Sequence, residues 1–144
     1  MKTELNQYDK KIADEICHAV ATNALSLRKI LLMNPHFPSL QTIYTWRLKY
    51  KEFGDAYMKA KCAQMEPMAD QLLDIADDGL NDTYIDDDGN IKVDTDITQR
   101  ARLRIDTRKW FLAKLAPKIY GDNAALIMLE EKVKRLEELL AKQE

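Results

Sequence analysis

Apolar residues recur at helical spacing from the start of the chain. Behind Asp9, Ile12, Ile16, Ala19 and Val20 form one stripe over residues 9–22, with Lys10, Lys11, Asp14 and Glu15 on the other side. Ser26 is placed to cap a second, short helix from Leu27 to about Met33, with Leu27, Ile30 and Leu31 inward. Asn34-Pro35-His36-Phe37-Pro38 breaks the pattern, because proline lacks a donor and restricts its predecessor. Ser39 then caps a third helix, Leu40 to Tyr50. Its inner stripe is Ile43, Trp46 and Tyr50, and Gln41, Thr42, Thr45 and Lys49 fall outside. Three short helices with amides and hydroxyls exposed on the third predict a helix-turn-helix.

The pattern stays helical from Glu52 to Asp78, where Gly79 is a natural stop. Pro67 lies inside this run and predicts a kink or a break there, with a second segment from about Met68. Two short β-prone runs flank Asp86-Asp87-Asp88-Gly89-Asn90, which predicts a hairpin over 83–93. Asp94 or Thr95 should cap a helix over 95–116, ended by Pro117. In the tail, Leu126, Leu129, Val133, Leu136 and Leu140 alternate spacings of three and four, as the a and d positions of a heptad do. The predicted class is mainly α: a helix-turn-helix domain at 1–52, a central oligomerisation domain at 53–122 built on an antiparallel pair of long helices with the hairpin, and a C-terminal helix at 123–144 that could form a short coiled coil.

Charge changes the picture in two places. The net charge of the 144 residues is only -2, so affinity for nucleic acid would have to come from segregation. Residues 26–51 supply it: Arg28, Lys29, Arg47, Lys49 and Lys51 stand there with no Asp or Glu. Gln41, Thr42 and Thr45 are the candidates for base edges, and Arg28, Lys29, Lys49 and Lys51 for phosphates; Ser39, Tyr44 and Arg47 share that surface. The second place is Arg100–Lys118, where Arg100, Arg102, Arg104, Arg108, Lys109, Lys114 and Lys118 face one acid, Asp106. Leu103, Ile105, Trp110, Phe111, Leu112 and Leu115 make this helix too apolar to stand alone, and its arginines make it an improbable buried core. An interface satisfies both, with guanidinium groups paired to carboxylates such as Asp70, Asp74 and Asp77 of neighbouring segments or chains.

Other chemistry is sparse. Cys17 and Cys62 lack CxxC spacing and are expected as buried, reduced thiols. His18 and His36 have no metal-spaced partner. With Gly89 as the sixth loop position, an EF-hand would place Tyr84 first and Thr95 twelfth, so calcium is not expected. A two-metal site from Asp86, Asp87, Asp88, Asp94 and Asp96 lacks a second convergent acidic element. No nucleophile–base set or phosphate-binding glycine loop is visible, so neither an enzyme nor a cofactor is expected. Neither a membrane-spanning run nor a signal peptide is seen, and a soluble, intracellular protein is expected. The alternative from these features alone is a dimeric transcriptional regulator, with the leucine tail as its zipper.

A resemblance narrows the choice. Leu73-Asp74-Ile75-Ala76-Asp77-Asp78-Gly79, Asn81-Asp82, the hairpin, Arg100 through Trp110, and Leu115-Ala116-Pro117-Lys118-Ile119-Tyr120-Gly121-Asp122 resemble the central region of bacteriophage small terminase subunits. Pro38-Ser39 through Trp46 and on to Phe53 resembles the second half of that family's helix-turn-helix. The resemblance implies a non-enzymatic subunit of a genome-packaging motor, working in the cytoplasm of the infected bacterial host. Its partners would be double-stranded viral DNA and the large ATPase/nuclease subunit. It further implies a homo-oligomeric ring, octameric or nonameric, with the helix-turn-helix at the periphery. Arg100, Arg102, Arg104, Arg108 and Trp110 would then serve subunit contacts.

Overall fold

The computed structural model describes residues 7–143; positions 1–6 and 144 of the two terminal domains expected above lie outside the described residues. The described chain is mainly helical with one small sheet. In order it runs α1 (Lys10–Thr22), α2 (Leu27–Met33), α3 (Leu40–Lys49), α4 (Lys51–Ala63), α5 (Met65–Asp77), β1 (Thr83–Ile85), β2 (Ile91–Val93), α6 (Thr95–Leu115), α7 (Pro117–Tyr120) and α8 (Ala124–Ala141). It divides into two compact units, the first ending at Gln71 and the second beginning at Leu72.

Local capping starts the helices of the first unit. The Asp9 carboxylate accepts from the backbone N–H of Lys11 and Ile12 at 2.8 and 3.3 Å. Ser26 Oγ accepts from the Lys29 N–H and Ser39 Oγ from that of Thr42. Each satisfies donors that a helix start leaves orphaned. One core joins Ala13, Ile16 and Val20 of α1, Ile30 of α2, Phe37 of the turn, Ile43 and Trp46 of α3, and Phe53, Tyr57 and Ala60 of α4. Tyr8 closes it at one end, stacked on Tyr50 at 4.0 Å between ring centroids and edge-on to Trp46 at 5.1 Å. Burying each large apolar side chain here contributes about 1.5–3 kcal/mol. The compact unit therefore runs past residue 52, because α4 packs its Phe53–Tyr57–Ala60 stripe chiefly against α1.

The expected break at Pro67 falls earlier. α4 ends at Ala63 and the next helix begins at Met65. Pro67 sits in the first turn of α5, where its missing N–H has no intrahelical partner to lose. A proline also leaves the carbonyl four residues before it, here that of Ala63, without its helical donor, which is where α4 ends, and Gln64 ties down the junction. Its side chain is buried, donates through Nε2 to the carbonyls of Asn23 and Leu25 at 2.6 and 3.0 Å, and accepts from Lys61 Nζ at 2.7 Å. Cys62 also differs from expectation: it is exposed, two residues past the core-facing Ala60 and so on the outer face of α4, while Cys17 is half-buried.

In the second unit β1 and β2 pair antiparallel, Thr83 with Val93, Tyr84 with Lys92 and Ile85 with Ile91. Gly89 takes φ +81°, which a side chain would resist. Asp86 organises the turn: its carboxylate accepts from the N–H of Asp88 and Asn90 and pairs with Lys92 Nζ at 2.8 Å. That pairing holds the Asp86 carboxyl below the usual carboxylate value. The Asp94 N–H donates to the Asp82 carbonyl at 2.7 Å, closing the hairpin base, and the Asp94 side chain caps α6. α6 then runs unbroken for 21 residues.

Candidate nucleic-acid interface

α3 is held by its inner side. Ile43 and Trp46 are 0% and 2% exposed, which turns Gln41, Tyr44, Thr45, Leu48 and Lys49 to the surface. Gln41, Thr42, Thr45, Lys49 and Tyr50 border one shallow depression along this helix. Arg28 and Lys29 are exposed on α2, and the chain bends by 118° between α1 and α2. Among the described residues, none of Arg28, Lys29 and Lys49 makes an ion pair; Lys49 Nζ lies 5.7 Å from the centre of the Tyr50 ring.

The other expected contacts are already engaged within the chain. Ser39 and Thr42 share a hydrogen bond at 3.0 Å between hydroxyls, on top of the cap. Thr45 Oγ1 donates to the Gln41 carbonyl at 3.0 Å. Lys51 pairs with Asp55 at 2.9 Å, which raises its pKa. Arg47 is half-buried: its guanidinium lies 4.2 Å from the centre of the Tyr57 ring on α4, and Nη2 approaches Met58 Sδ at 3.7 Å. Its Nε is buried and has no hydrogen-bond partner among the described residues. The charge of Arg47, after burial itself, pushes the Lys61 ammonium below its usual pKa. Tyr8 and Gln64, which stabilise this unit, carry no periodic signal; each is explained only by partners remote in sequence. His36 meets Glu15 Oε2 at 3.0 Å across the α1 side of the unit.

The basic helix presents a second surface. Arg100, Arg102 and Arg104 are exposed, and Arg102 approaches Asp106 at 4.0 Å one turn away. Arg108 is half-buried, donates to the Arg104 carbonyl at 3.3 Å, and has its pKa lowered by burial and then by the Arg104 charge. Trp110 is exposed and meets Phe111 edge-on at 5.2 Å. Asp74 and Asp77 are exposed on α5, as Asp70 is earlier in that helix. Within the second unit, no ion pair joins Asp74 or Asp77 to Arg100, Arg102 or Arg104. Among the described residues, no group of three or more His, Cys, Asp or Glu is placed to hold a metal ion, and no single helix is long and apolar enough to cross a membrane.

The model of the family described as bacteriophage Sf6, terminase small subunit-like, matches residues 8–126. The chain belongs to the terminase small subunit family. Crystal structures of the terminase small subunit gp1 of the bacterial virus Sf6, each with a point mutation, share this fold. One matches at 32% identity and a TM-score of 0.65, covering 81% of this chain and 84% of that one. A second matches at 32% identity and a TM-score of 0.64, covering 81% and 79%. No curated protein sequence matches the chain. Membership of the terminase small subunit family supports a role in phage genome packaging.

Proposed function

We propose that this chain recognises duplex viral DNA through α2 and α3, assembles into a ring through its second unit, and hands the DNA to the large terminase subunit. It does this without catalysis of its own, in the cytoplasm of the infected host. The observation that supports the DNA step is the set of exposed cations on α2 and α3, in a stretch, residues 26–51, that holds no Asp or Glu. Lys49 borders one depression with Gln41 and Thr45 on a helix packed into the core, Arg28 and Lys29 are exposed on α2, and among the described residues none of the three is paired with a carboxylate. Cations of this kind bind phosphates by releasing counterions, and the amide and hydroxyl read base edges. Arg47 and Lys51, held by Tyr57 and Asp55, contribute less. Assembly rests on the exposed guanidinium groups and Trp110 of α6, which meet carboxylates such as Asp70, Asp74 and Asp77 of the next copy.

Lys29→Glu with Lys49→Glu should abolish retention of duplex DNA in a gel-shift titration while leaving helicity and solution mass unchanged. The single Lys49→Glu should lower the slope of log affinity against log salt by about one. Undiminished DNA binding by the double variant would remove α2 and α3 from the interface.

A further inference from the structure

The seam of α8 is open, and the chain's own neighbour occupies the opposite side of the helix. Leu126, Leu129, Val133, Leu136 and Leu140 are 53%, 58%, 47%, 59% and 64% exposed. α7 packs on α8 from behind, and Lys118 Nζ meets Glu131 at 2.6 Å. Glu131 is an f position when Val133 is a. Ala124 and Ile127, half-buried, lie on that same b/f side. α7 therefore cannot cover the a/d stripe without breaking the ion pair.

We propose that the a/d seam of α8 is covered by α8 of other copies, side by side and parallel. The charges select both occupant and direction. Lys132 at g faces Glu137 at e of a parallel neighbour, five residues on, which is an attractive pair. In an antiparallel arrangement e positions meet e positions, and here both are acidic, Glu130 and Glu137. Leu139, at g and 52% exposed, widens the apolar strip at its C-terminal end, which suits more than two strands. The family match ends at residue 126, so nearly all of this seam lies beyond it. The idea deepens the assembly reading above: copies gathered through parallel helices must share one rotation axis, as copies in a ring do.

The test uses the full chain with Cys17→Ala and Cys62→Ala. Under mild oxidation, Leu136→Cys should cross-link to a covalent dimer, whereas Glu138→Cys, at the outward f position, should not. Adding Lys132→Glu to Leu136→Cys should suppress the cross-link, and Lys132→Glu with Glu137→Lys should restore it. A Leu136→Cys that fails to cross-link while reacting freely with maleimide would assign the seam to a different protein. One that is shielded from maleimide without cross-linking would assign it to another segment of the same chain. Either overturns the proposal. Light scattering on the same samples reads ring assembly separately: a large species without the selective cross-link leaves the ring and removes the seam, and a cross-linked dimer does the reverse.

Discussion

Trp46 and Trp110 carry the same side chain and meet opposite surroundings, 2% and 58% exposed. Trp46 sits in a core that α1 to α4 close around it. Trp110 sits on α6, where Leu112 is buried but Leu103 and Trp110 itself are more than half exposed. The contrast is general. Among the described residues, Ile75 and Leu112 are the buried apolar side chains beyond residue 71, while Leu80, Ile85, Ile91, Val93, Leu103, Ile119 and the α8 leucines are largely exposed. An isolated two-stranded hairpin is marginal in water, and apolar helix faces this open mark interaction surfaces. The first unit closes its own core, whereas the second leaves most of its apolar side chains exposed, as the proposed assembly through other copies requires.

Trp46 is the largest side chain of the self-contained core. Trp46→Ala should destabilise the first unit by about 3–5 kcal/mol, read as a lower urea midpoint. That midpoint should not move with protein concentration, since the core is made within one chain. A midpoint that falls on dilution would mean the first unit also depends on its neighbours. A smaller effect follows at Gly54, where a Cβ would come within 2.7 Å of the Arg47 carbonyl oxygen. Gly54→Ala should cost about 1–3 kcal/mol by forcing α3 and α4 apart, again in the first unit only. An unchanged midpoint would show that the two helices yield without loss.

The smallest effect is acidic and confined to the second unit. The carboxyl pKa of Asp86 is depressed in the fold from its ordinary 3.8 by Lys92 and by the turn N–H groups. Its contribution is therefore fully present above that ordinary value and is lost as pH falls through the lower folded value. Amide exchange of Asp88 and Asn90 should quicken over that range and not above it. Asp86→Asn should flatten the dependence.

Much of this architecture is legible in short windows of sequence. The Asp9, Ser26, Ser39 and Asp94 caps, the Gly89 turn and the stripe through Ile43 and Trp46 each depend on neighbours within a few residues. The break between α4 and α5 was readable in its existence from Pro67, but its place and anchoring were not. Pro67 disrupts the helix one turn back, at the Ala63 carbonyl, while Gln64 anchors the junction through partners some forty residues away at Asn23 and Leu25. Part of the proposed DNA-facing surface was not legible either. Arg47 counts as a cation in sequence, yet its guanidinium is held over Tyr57, a contact that exists only once α4 has folded back.

The helices, their caps, the hairpin and the acid-free stretch through α3 follow from local sequence, because spacing, capping and charge act over a few residues. Packing between distant segments settles that α4 closes the N-terminal core, that Arg47 is drawn inward, and that the seam of α8 stays open while its back is taken by α7. Those outcomes depend on which surfaces meet across long separations in the chain, and periodicity says that a face is apolar without saying what will cover it.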